Sequence, residues 1–503
     1  MELIVVAASE FEYPRLSIML GAQPDSAEFD KQWKGPIFLS SVFLLFLLTM
    51  QFLIFAFSPW PTKYQADENY YVTKALSLIT HGETPKAKGP GDLRPWRPAG
   101  YPQFIALCCL GDSHYKSIKY RCASMQFLLI SLVLVCFHIF ACFALGPSHQ
   151  LYVIAFLTGI QPWTFSYSRL LYPDSLTASL LTLGLLGLFA FIRAGKSKTI
   201  LVYFSLSILL LATTITLRAE MIVLIPVFVL ISVSIKYLKR IALVRISIAC
   251  GLIFVAVAGL YAGYRLFSTG SVQMFGRFSI HKRGALNWVG TWFATERSGF
   301  KRFLYGPLNR SKFEMLPEHA FLDDFERSEI RRACELSGQR RVYDREVDKI
   351  FQNVADKRKR EHFFINSVLT RTWAFLHLWV NPDVNEQLLR LVPRESIFFI
   401  ILVLGFAILK FVVYVLATLS FFQILRHSRE GTLSWYHTLT ILMIVCVFAR
   451  TLLMGGFLGW IHRYALPAWP AMLWCAISAC IDISSRNFHP DDSDRPVTFS
   501  CSA

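Results

Sequence analysis

Charged residues are scarce in this sequence. Only 17% of the 503 residues are charged, whereas 54% are hydrophobic. Soluble globular domains carry about 25% charged residues. Together with repeated apolar runs of about 18 residues or more, this scarcity argues against an ordinary soluble domain and predicts an all-α polytopic membrane protein.

Paired cysteines and a cleavable signal are also missing. The 11 cysteines show no CxxC spacing and most lie in apolar runs, so the sequence predicts neither a zinc site nor a disulfide framework. The beginning, "MELIVVAASEFEYPRLSIML", has glutamates where a signal peptide carries basic residues, and its apolar stretch is broken. The first membrane span is therefore expected to act as an uncleaved anchor.

Acidic residues are outnumbered by basic ones. The chain has 34 Asp and Glu against 51 Lys and Arg, a formal net charge of +17. In a soluble protein this excess would suggest nucleic acid. In a membrane protein it is typical of topology-setting basic loops and of affinity for anionic lipids or phosphate. We therefore expect membrane lipids, and no nucleic acid, as partners.

Windows of about 20 apolar residues predict about ten membrane-spanning helices. The predicted spans are Ile37–Phe57, Ser124–Leu145, Leu151–Leu171, Ser175–Phe191, Ile200–Leu217, Met221–Ile235, Ile241–Phe267, Ile397–Leu425, Leu433–Met454 and Ile461–Ile481.

Short basic connections orient these spans. With the N-terminus in the cytoplasm, all of them fall on the cytoplasmic side, as the positive-inside rule requires. They contain Arg193, Lys196, Lys198, Lys236, Lys239, Arg240, Arg426 and Arg429. The segments richest in reactive side chains then share the outer face. These are Ser58–Ala123, Ser168–Ser175, Leu217–Glu220, Ser268–Ser396 and Gly455–Tyr464.

This topology divides the chain into five parts. They are a cytoplasmic tail (1–36), a transmembrane module with an outer loop at 58–123 (37–267), a large extracytoplasmic loop (268–396), C-terminal transmembrane helices (397–482) and a second cytoplasmic tail (483–503). The large loop has helix-like stretches of alternating charge, typical of a solvated helical cap. A partial role as a lid over the site is the functional alternative.

An amphipathic helix is predicted directly after the first span. The apolar residues Val72, Ala75, Leu76 and Ile79 follow helical spacing over residues 67–81. This juxtamembrane helix is too polar to span and is expected to lie along the outer interface. Its N-terminus carries Asp67 and Glu68, which are either a dipole-favouring first turn or reactive carboxylates.

Two further outer motifs are ambiguous when taken alone. In "RPWRPAGYP" three prolines and a glycine are expected to hold Arg97 in a rigid turn, suited to a phosphate or to interfacial anchoring. In "LLYPDSLTASLL" Asp174 follows a proline where the fourth span begins, so it is either an N-cap or a site residue.

The turns before the sixth and last spans also carry charge. In "TLRAEM", Arg218 and Glu220 mark the water boundary, pair with each other, or bind a ligand. In "WIHRYALPAWP" the outer end of the last span carries His462, Arg463 and Tyr464.

In order and spacing, these motifs resemble the GT-C membrane glycosyltransferases from about Ile37 to Pro470. The likeness is sharpest around Asp67, Pro98–Pro102 and Asp174. Within that superfamily the sequence looks closest to the bacterial branch with the protein O-mannosyltransferases, the lipid A aminoarabinose transferase and the core galacturonosyltransferases.

The resemblance assigns residues to roles. It implies that Asp67 is the essential acid, with Glu68 beside it as in the "DE" pair of the mannosyltransferases, and that Asp174 is the second acid. Arg463 and Tyr464 match the "RY" of the last conserved span. The chain departs from the family pattern at Ala99, where a second proline is common. It is also shorter than the mannosyltransferases, so the identity of the acceptor stays open.

The resemblance also implies a reaction, in which a sugar passes from a polyprenyl phosphate to a lipid, glycan or protein acceptor. Asp67 is the expected general base, with inversion at the anomeric carbon, and Asp174 the second catalytic residue. The expected substrate-binding residues are Glu68, Arg97, Tyr101, Arg218, Glu220, His462, Arg463 and Tyr464. No cofactor is assigned, because adjacent carboxylates alone do not define a metal site, and participation of a divalent metal stays open. A bacterial inner membrane is the preferred location.

Two alternatives use the same ligand class. A transporter or flippase of a lipid-linked sugar would show repeated halves and midplane charges, and the sequence has neither. A glycan polymerase or ligase would share the outer site, but the early acidic helix and "RPAGYP" argue against it.

Overall fold

A computed structural model gives the fold of the described part of the chain. It describes residues 26–57, 66–82, 99–109, 114–146, 148–161, 168–194, 197–218, 221–237, 255, 259–263, 284–285, 288, 308–340, 345–364, 368, 397–458 and 466–487.

Every regular element in these residues is helical. The α-helices are α1 (Ser26–Phe57), α2 (Ala66–His81), α3 (Gly100–Cys109), α4 (Tyr115–Leu145), α5 (Gln150–Gly159), α6 (Pro173–Arg193), α7 (Ser197–Leu217), α8 (Met221–Tyr237), α9 (Arg310–Glu314), α10 (Asp324–Arg340), α11 (Arg345–Glu361), α12 (Ile397–Glu430), α13 (Trp435–Leu458) and α14 (Trp469–Asn487). Short 3-10 turns cover Glu318–Ala320 and Leu466–Ala468.

Within the described residues, 5 helices are long and apolar enough to cross a membrane, namely α1, α4, α6, α7 and α12. Helices α5, α8, α13 and α14 contain shorter apolar stretches. This agrees with the predicted all-α membrane protein, whereas the total of about ten spans stays a prediction. The predicted span Ile241–Phe267 lies largely outside the described residues.

The third predicted span is wrong at its C-terminal half. Helix α5 ends at Gly159 and Ile160 has an extended backbone, so the predicted span is not one continuous helix. Ser168 is helical again, and residues 169–172 are non-helical before α6 begins. Pro162 lies three residues after Gly159 in the sequence, and proline removes a helical hydrogen bond and disfavours helix in the residue before it. The chain before α6 is therefore free to present backbone groups to other segments.

Close packing of α6 against α7 forms the centre of the bundle. A Cβ on Gly184 would lie 2.8 Å from Leu211 Cγ, and one on Gly187 would collide with Ser207. Small residues allow helix backbones to approach closely in a membrane. At the far end of α6, Lys236 Nζ donates to the carbonyl oxygens of Phe191, Ile192 and Ala194 at 2.7–3.2 Å. This lysine satisfies carbonyls that have no helical partner at a C-terminus.

The large loop contains a helical unit with its own core. Trp288, Ile330 and Phe351 lie in a buried cluster separate from the membrane-type core. Glu326 accepts hydrogen bonds from Trp288 Nε1 at 2.5 Å and from the Leu322 backbone at 3.0 Å, and it pairs with Arg358 at 2.6 Å. The helical character predicted for this loop is therefore present in Arg310–Glu314, Asp324–Arg340 and Arg345–Glu361.

Candidate functional site

The predicted amphipathic helix is present as α2. It runs from Ala66 to His81, and Gly82 follows with φ of 68°, the left-handed conformation that glycine adopts readily at a helix C-terminus. The apolar side chains of Val72 and Ala75 are buried against α3 and α4. The helix thus brings its N-terminal carboxylate residues toward the segment that precedes α6.

Glu68 is fully engaged in the interior of this cluster. Lys119 Nζ, from α4, donates to both carboxylate oxygens of Glu68 at 3.0 and 3.1 Å. The backbone N–H of Leu171 donates to Glu68 Oε1 at 3.0 Å. The side chains of Glu68 and Lys119 are 0% and 1% exposed. One carboxylate therefore joins α2, α4 and the chain just before α6.

Asp174 forms a second buried ion pair beside the first. Arg218 Nη2, at the end of α7, donates to Asp174 Oδ1. Tyr172 is the N-cap of α6 and Asp174 lies in its first turn, so the N-cap interpretation of Asp174 is wrong. Asp174 is 1% exposed, and within the described residues its Oδ2 atom has no hydrogen-bond partner. A buried carboxylate oxygen of this kind can accept a hydrogen bond from a hydroxyl or bind a cation.

Tyr101 is buried near both carboxylates, Glu68 and Asp174. Its hydroxyl donates to Gln126 Oε1 at 3.4 Å, and Gln126 Nε2 donates at 3.2 Å to the carbonyl oxygens of Ser168 and Leu170. Burial raises the pKa of Tyr101 well above its ordinary value, and neighbouring groups that include Glu68 add to the shift. Tyr101 therefore stays a neutral hydroxyl at physiological pH.

The "RPAGYP" and "TLRAEM" motifs meet at Gly100. A Cβ on this glycine would lie 2.6 Å from the backbone oxygen of Thr216 and would also collide with its side chain. Only glycine allows this approach of the α3 N-terminus to the end of α7. Residues far apart in the sequence are thus held at one end of the bundle, which we call the site end.

Several predicted site residues lie outside what the structure describes. Arg97, Glu220, His462, Arg463 and Tyr464 fall outside the described residues, and for Asp67 only the helical backbone in α2 is described. The described members Glu68, Tyr101, Asp174 and Arg218 are brought together at the site end.

Sequence reasoning missed Lys119 and Gln126. Lys119 precedes an apolar run, where it resembles the other basic residues that flank membrane spans, and Gln126 lies near the start of that run. Helical spacing is the feature that could have indicated them. Lys119, Cys122 and Gln126 lie on one face of α4 and all are buried, whereas Lys116 is exposed. Arg450, fully buried in α13, was also missed.

Among the residues that the structure describes, one cluster with metal-ligand chemistry occurs, at the opposite end of the bundle. The ligand atoms of His427, His437 and Asp482 lie within 4.8 Å of one another. The Ser434 backbone N–H donates to His437 Nδ1 at 2.9 Å, so Nε2 carries the proton and donates to Asp482 Oδ1 at 3.0 Å. Tyr436 also donates to Asp482. These hydrogen bonds connect α13 to α14, and the cluster is therefore a structural contact rather than an open metal site.

Comparisons with known proteins give only distant structural similarity. No family model matches the chain, and no curated protein matches it. The archaeal oligosaccharyltransferase AglB from Archaeoglobus fulgidus, in complex with an inhibitory peptide and a dolichol-phosphate, is similar with a TM-score of 0.43 and 12% identity over 90% of this chain and 52% of that chain.

A second structure of the Archaeoglobus fulgidus oligosaccharyltransferase, tethered to an acceptor peptide containing the NVT sequon, gives a TM-score of 0.44 at 12% identity, covering 91% of this chain and 51% of that chain. The chain thus spans about half the length of these proteins. At these TM-scores the similarity bears on neither substrate nor mechanism.

Proposed function

We propose that this protein is a membrane glycosyltransferase that moves a sugar from a polyprenyl-phosphate donor to an acceptor outside the cytoplasm. The observation that carries the proposal is the meeting of Glu68, Tyr101, Asp174 and Arg218 at the site end. These residues belong to separate motifs of the GT-C resemblance. A solely structural bundle does not require buried carboxylates from two distant motifs in one place.

The reaction requires a base, a cationic site and access for a lipid tail. In the proposed mechanism the acceptor hydroxyl oxygen attacks the anomeric carbon, and the bond from that carbon to the phosphate oxygen breaks. Asp67 takes the hydroxyl proton as general base. The polyprenyl phosphate leaves as the anion, and the configuration at the anomeric carbon inverts.

Buried groups at the site end support the binding of a polyhydroxylated, anionic donor. The Asp174 Oδ2 atom accepts a hydrogen bond from a hydroxyl of sugar or acceptor, while Arg218 balances the negative charge of Asp174 in an apolar site. The proposed cations for the departing phosphate are Arg97, Arg218, Arg463 and His462, because an arginine guanidinium binds oxyanions in a bidentate way. Glu220 and Tyr464 complete the proposed binding residues.

A divalent metal fits this site only in part. Asp174 Oδ2 supplies one carboxylate oxygen of the kind that magnesium and manganese prefer. The other carboxylate in the described residues of the site, Glu68, is occupied by Lys119 and Leu171. No step of the mechanism is therefore assigned to a metal.

We place the protein in a bacterial inner membrane with the site end outside. The basic residues Arg193, Lys236, Arg426 and Arg429 lie near the C-terminal ends of α6, α8 and α12, away from the site end, and the positive-inside rule assigns them to the cytoplasm. The acceptor class is then a lipid, a glycan or a protein of the cell envelope.

The testing experiment is sugar transfer by the purified protein in lipid. A panel of radiolabelled polyprenyl-phosphate sugars is offered with a membrane extract as acceptor. We expect one donor to be consumed, and Asp67→Asn and Asp174→Asn each to lower kcat by about 100-fold or more. Asn69→Ala, an exposed change on the same helix, is the matched control and keeps full activity.

Two outcomes contradict the proposal. Full transfer by Asp67→Asn refutes the assignment of the base. Movement of a labelled donor across the membrane of sealed vesicles, without formation of a new glycosidic bond, identifies a flippase instead.

A further inference from the structure

The ion pair of Lys119 and Glu68 holds the N-terminus of α2 at a fixed rotation. Lys119 contacts both oxygens of Glu68, and Leu171 N–H occupies Oε1 from a third segment. Farther along α2, Tyr71, Val72 and Ala75 are buried on the same side as Glu68. Their offsets of three, four and seven residues from Glu68 place them on one helix face.

This rotation fixes the position of residue 67 around the helix axis. Successive residues of an α-helix are separated by about 100° around that axis. With Glu68 held by Lys119, the backbone at residue 67 therefore has a fixed place around the axis of α2, next to the buried face. Because Glu68 also holds the Leu171 N–H, three residues before Asp174, the same contact fixes the separation of α2 from the start of α6.

We propose that Lys119 and Glu68 are a positioning pair, which aligns the proposed base Asp67 with Asp174 and does not itself touch the substrate. The inference rests on the proposed function. It assigns Lys119 a role in the reaction, and it places Glu68 behind the site because three hydrogen bonds already use its carboxylate.

A hydrophobic pair would be the simpler way to fill this space. Buried ion pairs add little net stability relative to well-packed apolar residues, since both charges lose their hydration. What a charged pair adds is a fixed geometry with directional hydrogen bonds. This makes positioning, rather than stability, the property to measure.

The decisive variant is the double change Glu68→Gln with Lys119→Met. It removes both charges together, so that no unpaired charge is left in the interior, and the introduced amide keeps an oxygen that accepts from Leu171. We expect kcat to fall by about 10- to 100-fold, because misplacement of a reacting group by about 1 Å has effects of that size. The KM for the donor stays within about twofold, since the proposed phosphate cations are unchanged.

Two single variants complete the test. Glu68→Gln alone has nearly the shape of glutamate and keeps one oxygen that accepts from Lys119 and Leu171, so the folded protein retains more kcat than the double variant. It leaves the Lys119 charge buried without its counter-charge, so we expect a lower melting temperature than for the double variant. Lys116→Gln removes a charge from an exposed position one turn before Lys119 and keeps wild-type kcat and KM.

Each remaining outcome has a definite meaning. A double variant with wild-type kcat overturns the positioning role. Loss of folding in both Glu68 variants, or an equal loss of kcat and donor affinity, also overturns it and makes the pair a stabilising contact. A wild-type protein that transfers no sugar from any donor refutes the proposed function, which is a distinguishable result.

Discussion

Glu68 and Asp174 are two buried carboxylates in one site that differ in their ability to accept a hydrogen bond from a ligand. Glu68 has both oxygens occupied by donors from the chain, whereas Asp174 has one oxygen paired with Arg218 and the other without a partner in the described residues. An acceptor atom that is buried and unused by the protein costs free energy unless a ligand uses it. Asp174 is therefore the described carboxylate best suited to contact a substrate.

At Gly100 we predict a steric requirement for glycine. In Gly100→Ala the new Cβ meets the Thr216 backbone, which cannot rotate away. We expect the free energy of unfolding to fall by about 1–3 kcal/mol and sugar transfer to be lost. Thermal unfolding in detergent measures the effect. The control is Gly405→Ala in α12, where a Cβ meets nothing within 4 Å; equal melting temperatures for the two variants contradict the prediction.

Sequence patterns do not show which residues form ion pairs, and the partner of Glu68 is an example. Composition and spacing indicated that Asp67, Glu68 and Asp174 belong to outer turns. They gave no sign that Lys119, distant from Glu68 in the sequence, would neutralise it, because ion-pair choice depends on how α2 and α4 pack. The Arg218 partner was likewise left open between Glu220 and a ligand, and the structure pairs it with Asp174.

At the scale of elements, the helices were predictable where apolar spacing is strong. Helix α2 and its glycine cap follow the pattern read from residues 67–82. The break after Gly159 was not predicted, because the run from Leu151 to Leu171 is apolar enough for a span and hydropathy does not register the effect of Pro162 on helix continuity.

Helices α10 and α11 are expected to depend on one buried ion pair. Arg358 and Glu326 are 3% and 5% exposed, and their pair joins the two helices beside Trp288. Arg358→Ala leaves the Glu326 charge buried without this partner, and we expect a loss of about 3–5 kcal/mol. Hydrogen exchange of the α10 amides in the full chain measures it. Arg360→Ala, an exposed change on the same helix, should leave the exchange rates unaltered.

Asp323, the N-cap of α10, makes a pH-dependent contribution to the stability of this helix. Asp323 Oδ1 accepts from the Glu326 backbone N–H at 2.6 Å, and this hydrogen bond lowers the pKa of Asp323, with Lys357 adding to the effect. A lowered pKa means that the stabilisation is present above the ordinary aspartate pKa, about 3.9, and is lost as the pH falls through the lower folded value.

Asp323→Ala should therefore speed exchange of the first α10 amides by an amount equivalent to about 1 kcal/mol at pH 7. At pH 2, below the ordinary aspartate pKa of about 3.9, the difference between the variant and wild type should be smaller than at pH 7, once intrinsic exchange rates are corrected. The neighbouring change Asp324→Ala removes the same charge but keeps the cap. An effect of Asp323→Ala that is equally large at both pH values would contradict the cap as its cause.

For the whole molecule, the arrangement predicts which loops share a side of the membrane. Helix α2, which contributes Glu68, lies at the site end, and the turn between α12 and α13 lies at the opposite end with His427 and His437. We expect a protease site inserted after Gly82 to be cut from outside intact cells, and one inserted after Gly431 to be cut only after permeabilisation. Cleavage of both from the same side refutes the topology.

The unequal burial of the helices has a consequence for the lipid around the protein. In α6, 72% of the apolar window is buried, compared with 17% in α1 and in α12. Helix α12 has 34 residues, about 51 Å at the usual rise, longer than a bilayer core of about 30 Å. A thicker or thinner bilayer therefore changes the tilt of α1 and α12 first. The start of α6, enclosed by its neighbours, is shielded from that adjustment, so acyl-chain length acts on the rim of the protein before it acts on Asp174.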